Sequence, residues 1–254
     1  KGLHSSVLTK KPYFNRLFKI PNVNQQIHYA MRTFFYVFKK VFLKIFNKSH
    51  RWGVAYQFSD SWQDITLHKS KMIPNPPNRF LADPFVIKKN GKHICFVEDY
   101  CYKSKKGHIS AYEINKKGYI DLGVALKEHF HLSFPFLIEE QGELYMCPET
   151  NQSNEIRLYK CKNFPLEWEL EKVLMKNISA VDTIIYKKNN LWWMMTNKDT
   201  SSMGENCSEL HIYFSEDLLS GEWKKHRNNP VIFDSEKARN GGFLMDDKNL
   251  YRVY

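Results

Sequence analysis

The chain has 254 residues, enough for one large domain with its own core, and its aromatic content of 15% suits strands packed face to face. The formal net charge of +11 comes entirely from the N-terminal segment. Residues 1–51 contain 11 Lys and Arg but no Asp or Glu, whereas residues 52–254 contain 27 basic and 27 acidic side chains. This balance argues against nucleic-acid binding by residues 52–254 and assigns any electrostatic partner to residues 1–51.

Residues 1–51 form a basic leader in which one periodic segment predicts an amphipathic helix over residues 24–48. The apolar residues at helical spacing are Ile27, Met31, Phe34, Phe38, Val41, Phe42 and Ile45, and the lysines of another face are Lys40, Lys44 and Lys48. The lysines interrupt any run long enough to span a bilayer. Two partners stay open, namely an anionic membrane surface and a packing surface on a neighbouring domain.

The remainder of the chain is built from hairpins that repeat one another. The segments 82–98 and 133–149 match at these positions: Pro84 with Pro135, Phe85 with Phe136, Ile87 with Ile138, Gly91 with Gly142, and Glu98 with Glu149. Each segment reads as a strand, a tight turn with Gly and a second strand. A third copy covers 182–196, and a fourth begins at Gly241.

Between the hairpins a second, alternating unit recurs and ends in Tyr each time, at Ile109–Tyr112, Ile156–Tyr159 and Leu210–Tyr213. Four strands per unit, at a spacing of roughly 50 residues, is typical of propeller blades. A β-sandwich is the alternative, but sandwiches rarely repeat side chains in register.

We therefore predict an all-β fold, a five-bladed β-propeller over residues 52–254 whose last blade is incomplete at the C-terminus, preceded by the amphipathic helix. The predicted blades are 79–128, 131–176, 180–228 and a fourth from near Arg239. The segment 52–58 resembles an outer strand, and we expect it to complete the last blade from the other end of the chain, which would remove the open sheet edge.

Four carboxylates are predicted to meet at the centre of this propeller. In a hairpin, the start of the first strand and the end of the second lie at one edge, which places Asp83 opposite Glu98. Glu149 and Asp182 take the same edge in the next two blades. Like charges crowded together push their pKa values apart, as general acid–base or nucleophilic attack on a glycosidic bond requires.

The candidate catalytic residues are therefore Asp83, Glu149 and Asp182. The candidate substrate-binding residues are Arg79, Glu98, His131, Trp193 and Arg239, of which the two arginines would balance charge and Trp193 would stack on a sugar. Structural interpretations stay open: Asp83 could fix a turn before Pro84, Glu149 could bind backbone amides and Asp182 could cap its strand.

The five cysteines are odd in number, and no pair has the spacing of metal ligands; they are Cys95, Cys101, Cys147, Cys161 and Cys207. Free thiols in a reducing compartment are expected. The first residues also lack the pattern of a secretion signal. We therefore expect a cytoplasmic protein, peripheral to the membrane if the helix binds lipid, with no metal ligands and no cofactor.

Several motifs together carry a resemblance to a known family. They are Arg79–Phe85, His131–Pro135, Met146–Glu149, Val181–Thr183, Trp192–Trp193, His226–Val231 and Ala238–Gly242. With these motifs the chain resembles the five-bladed propellers of glycoside hydrolase families 43 and 32. It more closely resembles the glycosidase-like N-terminal domain of plant glucosamine inositolphosphorylceramide transferases and their bacterial relatives. The resemblance implies a carbohydrate or glycolipid substrate in surface glycan or glycolipid metabolism, and a fused or partner transferase domain.

The sequence also departs from the family 43 pattern, in which blade one carries a base Asp, blade two an Asp that modulates pKa, and blade three an acid Glu. Asp83 matches the first, but blade two offers Glu149 and blade three offers Asp182. Two functions therefore stay open. One is glycosidic bond hydrolysis or transfer, with Glu149 as acid and Asp83 as base. The other is a non-catalytic carbohydrate-binding module beside a glycosyltransferase or formyltransferase, and a membrane-docked scaffold is a third.

Overall fold

The computed structural model describes residues 19–45, 52–201, 204, 206–246 and 249–254. The chain divides into two compact units, residues 1–51 and residues 52–254. Among the described residues, the first unit contains one helix, and the second contains β-strands and three short 3₁₀ turns.

The helix α1 spans Val23–Ile45 and begins one residue before its predicted start. Asn22 caps it reciprocally: Asn22 Oδ1 accepts from the Gln25 N–H at 2.9 Å, and Gln25 Oε1 accepts from the Asn22 N–H at 3.0 Å. The predicted end at Lys48 and the side chain of Lys44 lie outside the described residues. Within the described chain, no helix combines the length and apolarity needed to cross a bilayer.

The described part of residues 52–254 forms five antiparallel sheets that follow one another along the chain. The N-terminal hairpin consists of β1 Val54–Tyr56 and β2 Lys71–Ile73. Sheet 1 consists of β3 Arg79–Lys89, β4 Lys92–Cys101, β5 Lys106–Ile114 and β6 Tyr119–Leu126. Sheet 2 consists of β7 Ser133–Glu140, β8 Glu143–Glu149, β9 Glu155–Asn163 and β10 Glu167–Lys176. Sheet 3 consists of β11 Ala180–Lys188, β12 Leu191–Lys198, β13 Glu209–Ser215, β14 Lys224–Lys225 and β15 Ile232–Phe233. The C-terminal hairpin consists of β16 Gly242–Met245 and β17 Leu250–Val253.

The predicted hairpin copies are confirmed as the first two strands of sheets 1, 2 and 3. Their two-residue turns have positive φ at both positions, in Asn90-Gly91, Gln141-Gly142 and Asn189-Asn190. That conformation matches the twist of the flanking strands and favours Asn and Gly. The same turn chemistry therefore sets the same strand register in three successive sheets.

Apolar cores lie between successive sheets, as expected for sheets stacked around an axis. On β4, Ile94 and Phe96 face a core shared with sheet 2, whereas Cys95 and Val97 face a core shared with the N-terminal hairpin. All four side chains are at most 2% exposed. Because both faces of β4 are covered here, its stretch Ile94–Val97 is continuously apolar and does not alternate.

The predicted closure of the fold is not confirmed among the described strands. The segment 52–58 contributes β1, which pairs with β2, whereas β16 pairs with β17. Sequence reading missed β2 because a strand of three residues carries too little periodicity. The three central sheets and the all-β class agree with the prediction, and no closed ring of sheets is present among the described strands.

Candidate functional site

The first strand of each central sheet carries a β-bulge at the same place. The bulges lie between Ala82 and Phe85, between Ser133 and Phe136, and between Val181 and Ile184. The bulged residues Asp83, Phe134 and Asp182 have φ of 48°, 47° and 50°. Positive φ is unfavourable for residues other than Gly, Asn and Asp, and a bulge redirects a side chain out of the regular pleat.

The second strand of each sheet presents an equivalent polar residue beside the bulge. Glu98 pairs with Ala82 and Glu149 pairs with Ser133. In sheet 3, Asn197 pairs with Val181. The predicted juxtaposition of Asp83 and Glu98 is therefore realised by strand register, and Glu149 occupies the same position one sheet further on.

These carboxyl groups line a single cavity of about 730 Å³. Its lining contains all three predicted catalytic residues and two predicted substrate-binding residues: Asp83, Glu98, Glu149, Asp182 and Arg239. Phe134, from the bulge of sheet 2, also lines it. A cavity of this size, with convergent polar groups on an apolar wall, suits a small-molecule ligand.

Burial and mutual repulsion favour the neutral forms of the two glutamates. Burial raises the pKa of Glu98 to about 8, with further contributions from the charges of Asp83, Glu149 and Asp99. Burial likewise raises the pKa of Glu149 to about 8, with Asp182 and Asp83 adding to the shift and Arg239 opposing it. At neutral pH both groups therefore carry a proton that can be donated.

Arg239 opposes the rise in pKa of both aspartates. Burial raises the pKa of Asp182 to about 6, opposed by Arg239, whose Nε donates a hydrogen bond to Asp182 Oδ2. Burial also raises the pKa of Asp83, opposed by a hydrogen bond from the Phe134 backbone N–H and by the charge of Arg239. The cavity thus contains carboxyl groups whose protonation equilibria are separated.

A buried hydrogen-bond network holds the backbone at Asp182 and on both sides of Arg239. Asn240 Nδ2 donates to the Asp182 carbonyl oxygen at 2.8 Å and to the Met195 carbonyl oxygen at 3.2 Å. Asn197 Oδ1 accepts from the Asn240 N–H at 3.2 Å, and Asn197 Nδ2 donates to the Ala238 carbonyl oxygen at 2.8 Å. Sequence reasoning did not assign Asn240 a role, although it directly follows Arg239 in a motif that was noticed.

The structure places the other three predicted substrate-binding residues outside the cavity lining. Arg79 Nη1 lies 2.9 Å from Asp99 Oδ2. Trp193 packs against Phe214, with ring centroids 5.7 Å apart. His131 lies behind Glu98, with Nε2 3.6 Å from Glu98 Oε1 and Nδ1 accepting from the Gly107 N–H at 2.8 Å. Because Nδ1 accepts that bond, the proton of neutral His131 resides on Nε2 and faces Glu98.

Among the described residues, no group of three or more His, Cys, Asp or Glu side chains has the arrangement of a metal site.

The architecture matches solved glycoside hydrolases. A GH43 β-1,3-galactosidase superposes with a TM-score of 0.55 at 13% identity, over 72% of this chain and 43% of that chain. An exo-β-1,3-galactanase from Phanerochaete chrysosporium superposes with a TM-score of 0.54 at 12% identity, over 69% of this chain and 42% of that chain. At these identities the likeness defines a class of fold, the glycosidase-type β-propeller.

The sequence defines the family more closely. The model of the family described as glucosamine inositolphosphorylceramide transferase 1, N-terminal, matches residues 47–254, and the chain belongs to this family. The transferase of that name from Arabidopsis thaliana is 39% identical over 183 residues, which cover 70% of this chain and 24% of the relative. The relative from Oryza sativa subsp. japonica is 38% identical over 182 residues, covering 69% and 24%.

The chain thus spans about a quarter of the length of the curated relatives that it matches. The resemblance stated from the sequence motifs is confirmed, and the family and the fold together support a carbohydrate-related role.

Proposed function

We propose that residues 52–254 act on a glycosidic bond, by hydrolysis or transfer, in surface glycan or glycolipid metabolism. The observation that supports this most is the cavity in which Asp83, Glu98, Glu149 and Asp182 converge from three sheets. Cleavage of a glycosidic bond requires one carboxyl that donates a proton and one carboxylate that accepts a proton or attacks carbon. Carboxyl groups with different pKa values within one cavity, such as Glu149 and Asp182, meet that requirement.

In the proposed mechanism Glu149 is the general acid, because its pKa of about 8 keeps it protonated at neutral pH. Its proton passes to the glycosidic oxygen as the bond to the anomeric carbon breaks. Asp83 is the base that removes a proton from the attacking water or sugar hydroxyl. Asp182, held by Arg239, keeps a fixed negative charge beside the developing positive charge of the sugar.

A second function has its own support, which is carbohydrate binding without turnover. The bulge position of sheet 2 is occupied by Phe134, whereas the equivalent positions of sheets 1 and 3 carry Asp83 and Asp182. Phe134 is itself only 4% exposed and packs against Phe85, with ring centroids 4.9 Å apart. It makes this part of the cavity wall apolar, which suits the apolar face of a sugar. Such a module would hold a glycan for a transferase domain in the same chain or in a partner.

Measurements of turnover and of glycan binding distinguish the enzyme from the carbohydrate-binding module. The experiment compares the parent chain with Asp83→Asn and Glu149→Gln in a glycan-array screen and in hydrolysis and transfer assays on every glycan that binds. For an enzyme we expect retained binding and a loss of turnover of about 100-fold or more in both variants. Glu167→Gln is the matched control, because Glu167 is exposed on the outer strand β10.

Binding without turnover by the parent chain would establish the module and exclude the enzyme. If no glycan binds the parent chain at all, both carbohydrate functions are wrong, and the scaffold function remains.

We further propose that the complete ring has five blades, with the two short hairpins contributing to incomplete blades. The ring of Trp62, between β1 and β2, lies 5.9 Å from the ring of Tyr251 on β17, so the two hairpins approach each other. A crystal structure of a longer chain that contains these residues tests this count directly, and a ring with a different number of blades would refute it.

Finally, we propose that α1 binds an anionic membrane surface, which would make the protein peripheral to the cytoplasmic face of a membrane. On the helix taken by itself, Phe34, Phe38 and Phe42 form a row with ring centroids 6.3 and 6.4 Å apart. Residues 1–51 add 11 basic side chains and no acidic ones. A basic helix with an aromatic face binds anionic lipid interfaces through both properties.

Co-sedimentation with liposomes tests this proposal, using phosphatidylcholine vesicles with and without phosphatidylserine. Replacing Lys40, Lys44 and Lys48 by Gln should weaken binding to the anionic vesicles by about tenfold or more, because each lysine contributes about 1 kcal/mol. The control replaces Lys116 and Lys117, which are exposed in the turn between β5 and β6. Equal binding by both variants and the parent chain would contradict the proposal.

A further inference from the structure

The wall of the cavity continues beyond the carboxyl groups into a cluster of aromatic rings on sheet 1. The rings of Phe80 and Tyr100 stack with centroids 4.8 Å apart and an angle of 21° between their planes. Tyr102 packs against both, at 5.8 Å from Phe80 and 5.9 Å from Tyr100. We call Phe80, Tyr100 and Tyr102 the aromatic platform.

Strand register fixes the position of the platform relative to the carboxyl groups. Phe80 pairs with Tyr100, and two residues further along the same strands Ala82 pairs with Glu98. Side chains two residues apart on a strand lie on the same face, about 7 Å apart. The stacked pair therefore lies next to Glu98, at a spacing comparable with the length of one hexose unit.

The platform is open to a ligand. Phe80 lines the cavity together with the carboxyl groups, and the side chain of Tyr102 is 36% exposed. Tyr100 is half-buried and lies against His131, with ring centroids 5.8 Å apart. Because the rings pack on one another and on His131, their orientation is set before any ligand arrives, which reduces the entropic cost of binding.

The chemistry of the aromatic platform favours a sugar ring as its ligand. Aromatic faces bind the apolar face of a sugar ring, and the hydroxyl groups of Tyr100 and Tyr102 can bond its hydroxyls. Arg79, which precedes Phe80, is engaged by Asp99 at 2.9 Å, whereas Lys103, which follows Tyr102, is exposed. The aromatic faces and the two tyrosine hydroxyl groups together suit a sugar ring.

We propose that the aromatic platform is a second saccharide subsite, which binds the sugar unit attached to the one held over the carboxyl groups. This inference rests on the proposed carbohydrate function. It specifies that the cavity takes a glycan of at least two sugar units.

Binding of matched sugars tests the subsite. The probes are glucose with cellobiose, galactose with β-1,3-galactobiose, N-acetylglucosamine with its β-1,4-linked dimer, and mannose with α-1,6-mannobiose. Calorimetry gives the dissociation constant of each sugar. Within a pair, the dissociation constant of the monosaccharide divided by that of the disaccharide measures the contribution of the second sugar unit. We expect the disaccharide to bind more tightly than its monosaccharide in at least one pair.

The variants Phe80→Leu and Tyr102→Ala should reduce that ratio by about two- to tenfold, the amount that one aromatic contact contributes. The affinity for the monosaccharide should stay unchanged. Saturation-transfer NMR with irradiation of aromatic protons should show signals of the second sugar unit in the parent chain and weaker signals in the variants. Trp193→Leu is the control, because its aromatic pair with Phe214 does not line the cavity.

The outcomes separate this inference from the function on which it rests. If sugars bind but the ratio is the same in the parent chain and the platform variants, the second subsite is wrong and the proposed function stands. If the variants weaken monosaccharide and disaccharide equally, the platform only supports the cavity, and the inference is also wrong. If no sugar binds the parent chain, the proposed function fails and the subsite fails with it.

Discussion

Arg239 donates a hydrogen bond from Nε to Oδ2 of Asp182, a residue 57 positions earlier in the chain. The carboxyl group of Asp182 is almost fully buried, with 4% of its side chain exposed, whereas 46% of the Arg239 side chain is exposed. The pair therefore joins a buried carboxylate to the mouth of the cavity. It also explains why the pKa of Asp182 rises only to about 6 in surroundings that raise those of Glu98 and Glu149 to about 8.

The first prediction removes this pair. In Arg239→Gln we expect the pKa of Asp182 to rise by about 1–3 units, because an opposite charge close to a carboxyl group lowers its pKa by that amount. The measurement is the pH titration of the Asp182 carboxyl carbon by NMR. Arg79→Gln is the matched control, since Arg79 pairs with Asp99 outside the cavity lining. An unchanged titration of Asp182 in Arg239→Gln would show that the pair does not set its protonation.

The second prediction concerns stability and pH. Glu98 and Glu149 have folded-state pKa values of about 8, above the ordinary value of 4.5. The folded protein therefore binds more protons than the unfolded chain between these values. This stabilising contribution is complete below about pH 4.5 and is lost as the pH rises towards 8. The free energy of unfolding should fall over that window.

Urea denaturation from pH 5 to pH 9 measures this dependence in the parent chain and in Glu98→Gln and Glu149→Gln. Each variant should be more stable than the parent chain at pH 8 by about 4 kcal/mol, since the pKa of the replaced group is raised from 4.5 to about 8 and one pKa unit corresponds to about 1.4 kcal/mol. Glu167→Gln should follow the parent chain, because Glu167 is exposed. A stability that is independent of pH between 5 and 8 would contradict the raised pKa values.

Local patterns in the sequence predict the hairpins and the positions of the carboxyl groups. The turns at Asn90-Gly91 and Gln141-Gly142 set the register, and that register places Glu98 and Glu149 at equivalent edges. Turn chemistry acts over a few residues, so it can be read directly from one sequence. The same patterns do not show that Phe134 occupies a bulge at the cavity wall, because that bulge becomes clear only from strand pairing.

Contacts between distant segments could not be predicted in this way. The choice of Asp99 as the partner of Arg79 depends on the cross-strand packing of sheet 1. The bond from Asn240 to the Asp182 carbonyl joins residues 58 positions apart. Polar side chains have many partners of compatible chemistry within one chain, and only the folded geometry selects among them.

The third prediction concerns Arg252 on β17, which holds the segment that carries Arg239. Its guanidinium donates to the carbonyl oxygens of Lys237 at 2.6 Å, Ala238 at 3.3 Å and Arg239 at 3.0 Å, and to Asn240 Oδ1 at 3.1 Å. We infer that Arg252 is a positioning residue for the cavity. A lysine keeps the charge but lacks the planar fork that reaches several acceptors.

Arg252→Lys should therefore loosen residues 237–241 and leave the three central sheets intact. Hydrogen exchange should accelerate at the amides of Ala238 and Gly241, by about tenfold for each 1.4 kcal/mol of lost local stability. Arg227→Lys is the control, since Arg227 is exposed in the loop before β15. If exchange at Ala238 and Gly241 is the same in both variants and the parent chain, Arg252 does not hold the segment.

The fourth prediction tests the close packing behind Glu98. A Cβ at Gly107 would lie 2.5 Å from the Leu132 carbonyl oxygen, 2.9 Å from His131 Cε1 and 3.1 Å from Glu98 Cγ. Gly107 also binds His131 through its N–H and accepts from the Leu132 N–H at 3.0 Å. A methyl group there must displace the backbone of residue 132 as well as two side chains.

Gly107→Ala should therefore lower the free energy of unfolding by about 1–3 kcal/mol, the usual cost of added volume in a well-packed site. Gly118→Ala is the matched control, because a Cβ at Gly118, between β5 and β6, has no neighbour within 4 Å; its effect should stay within about 0.5 kcal/mol. Denaturation of both variants measures the difference. Equal stability of the two would mean that Glu98 and His131 move aside at no cost, and that the wall of the cavity is not fixed by its packing.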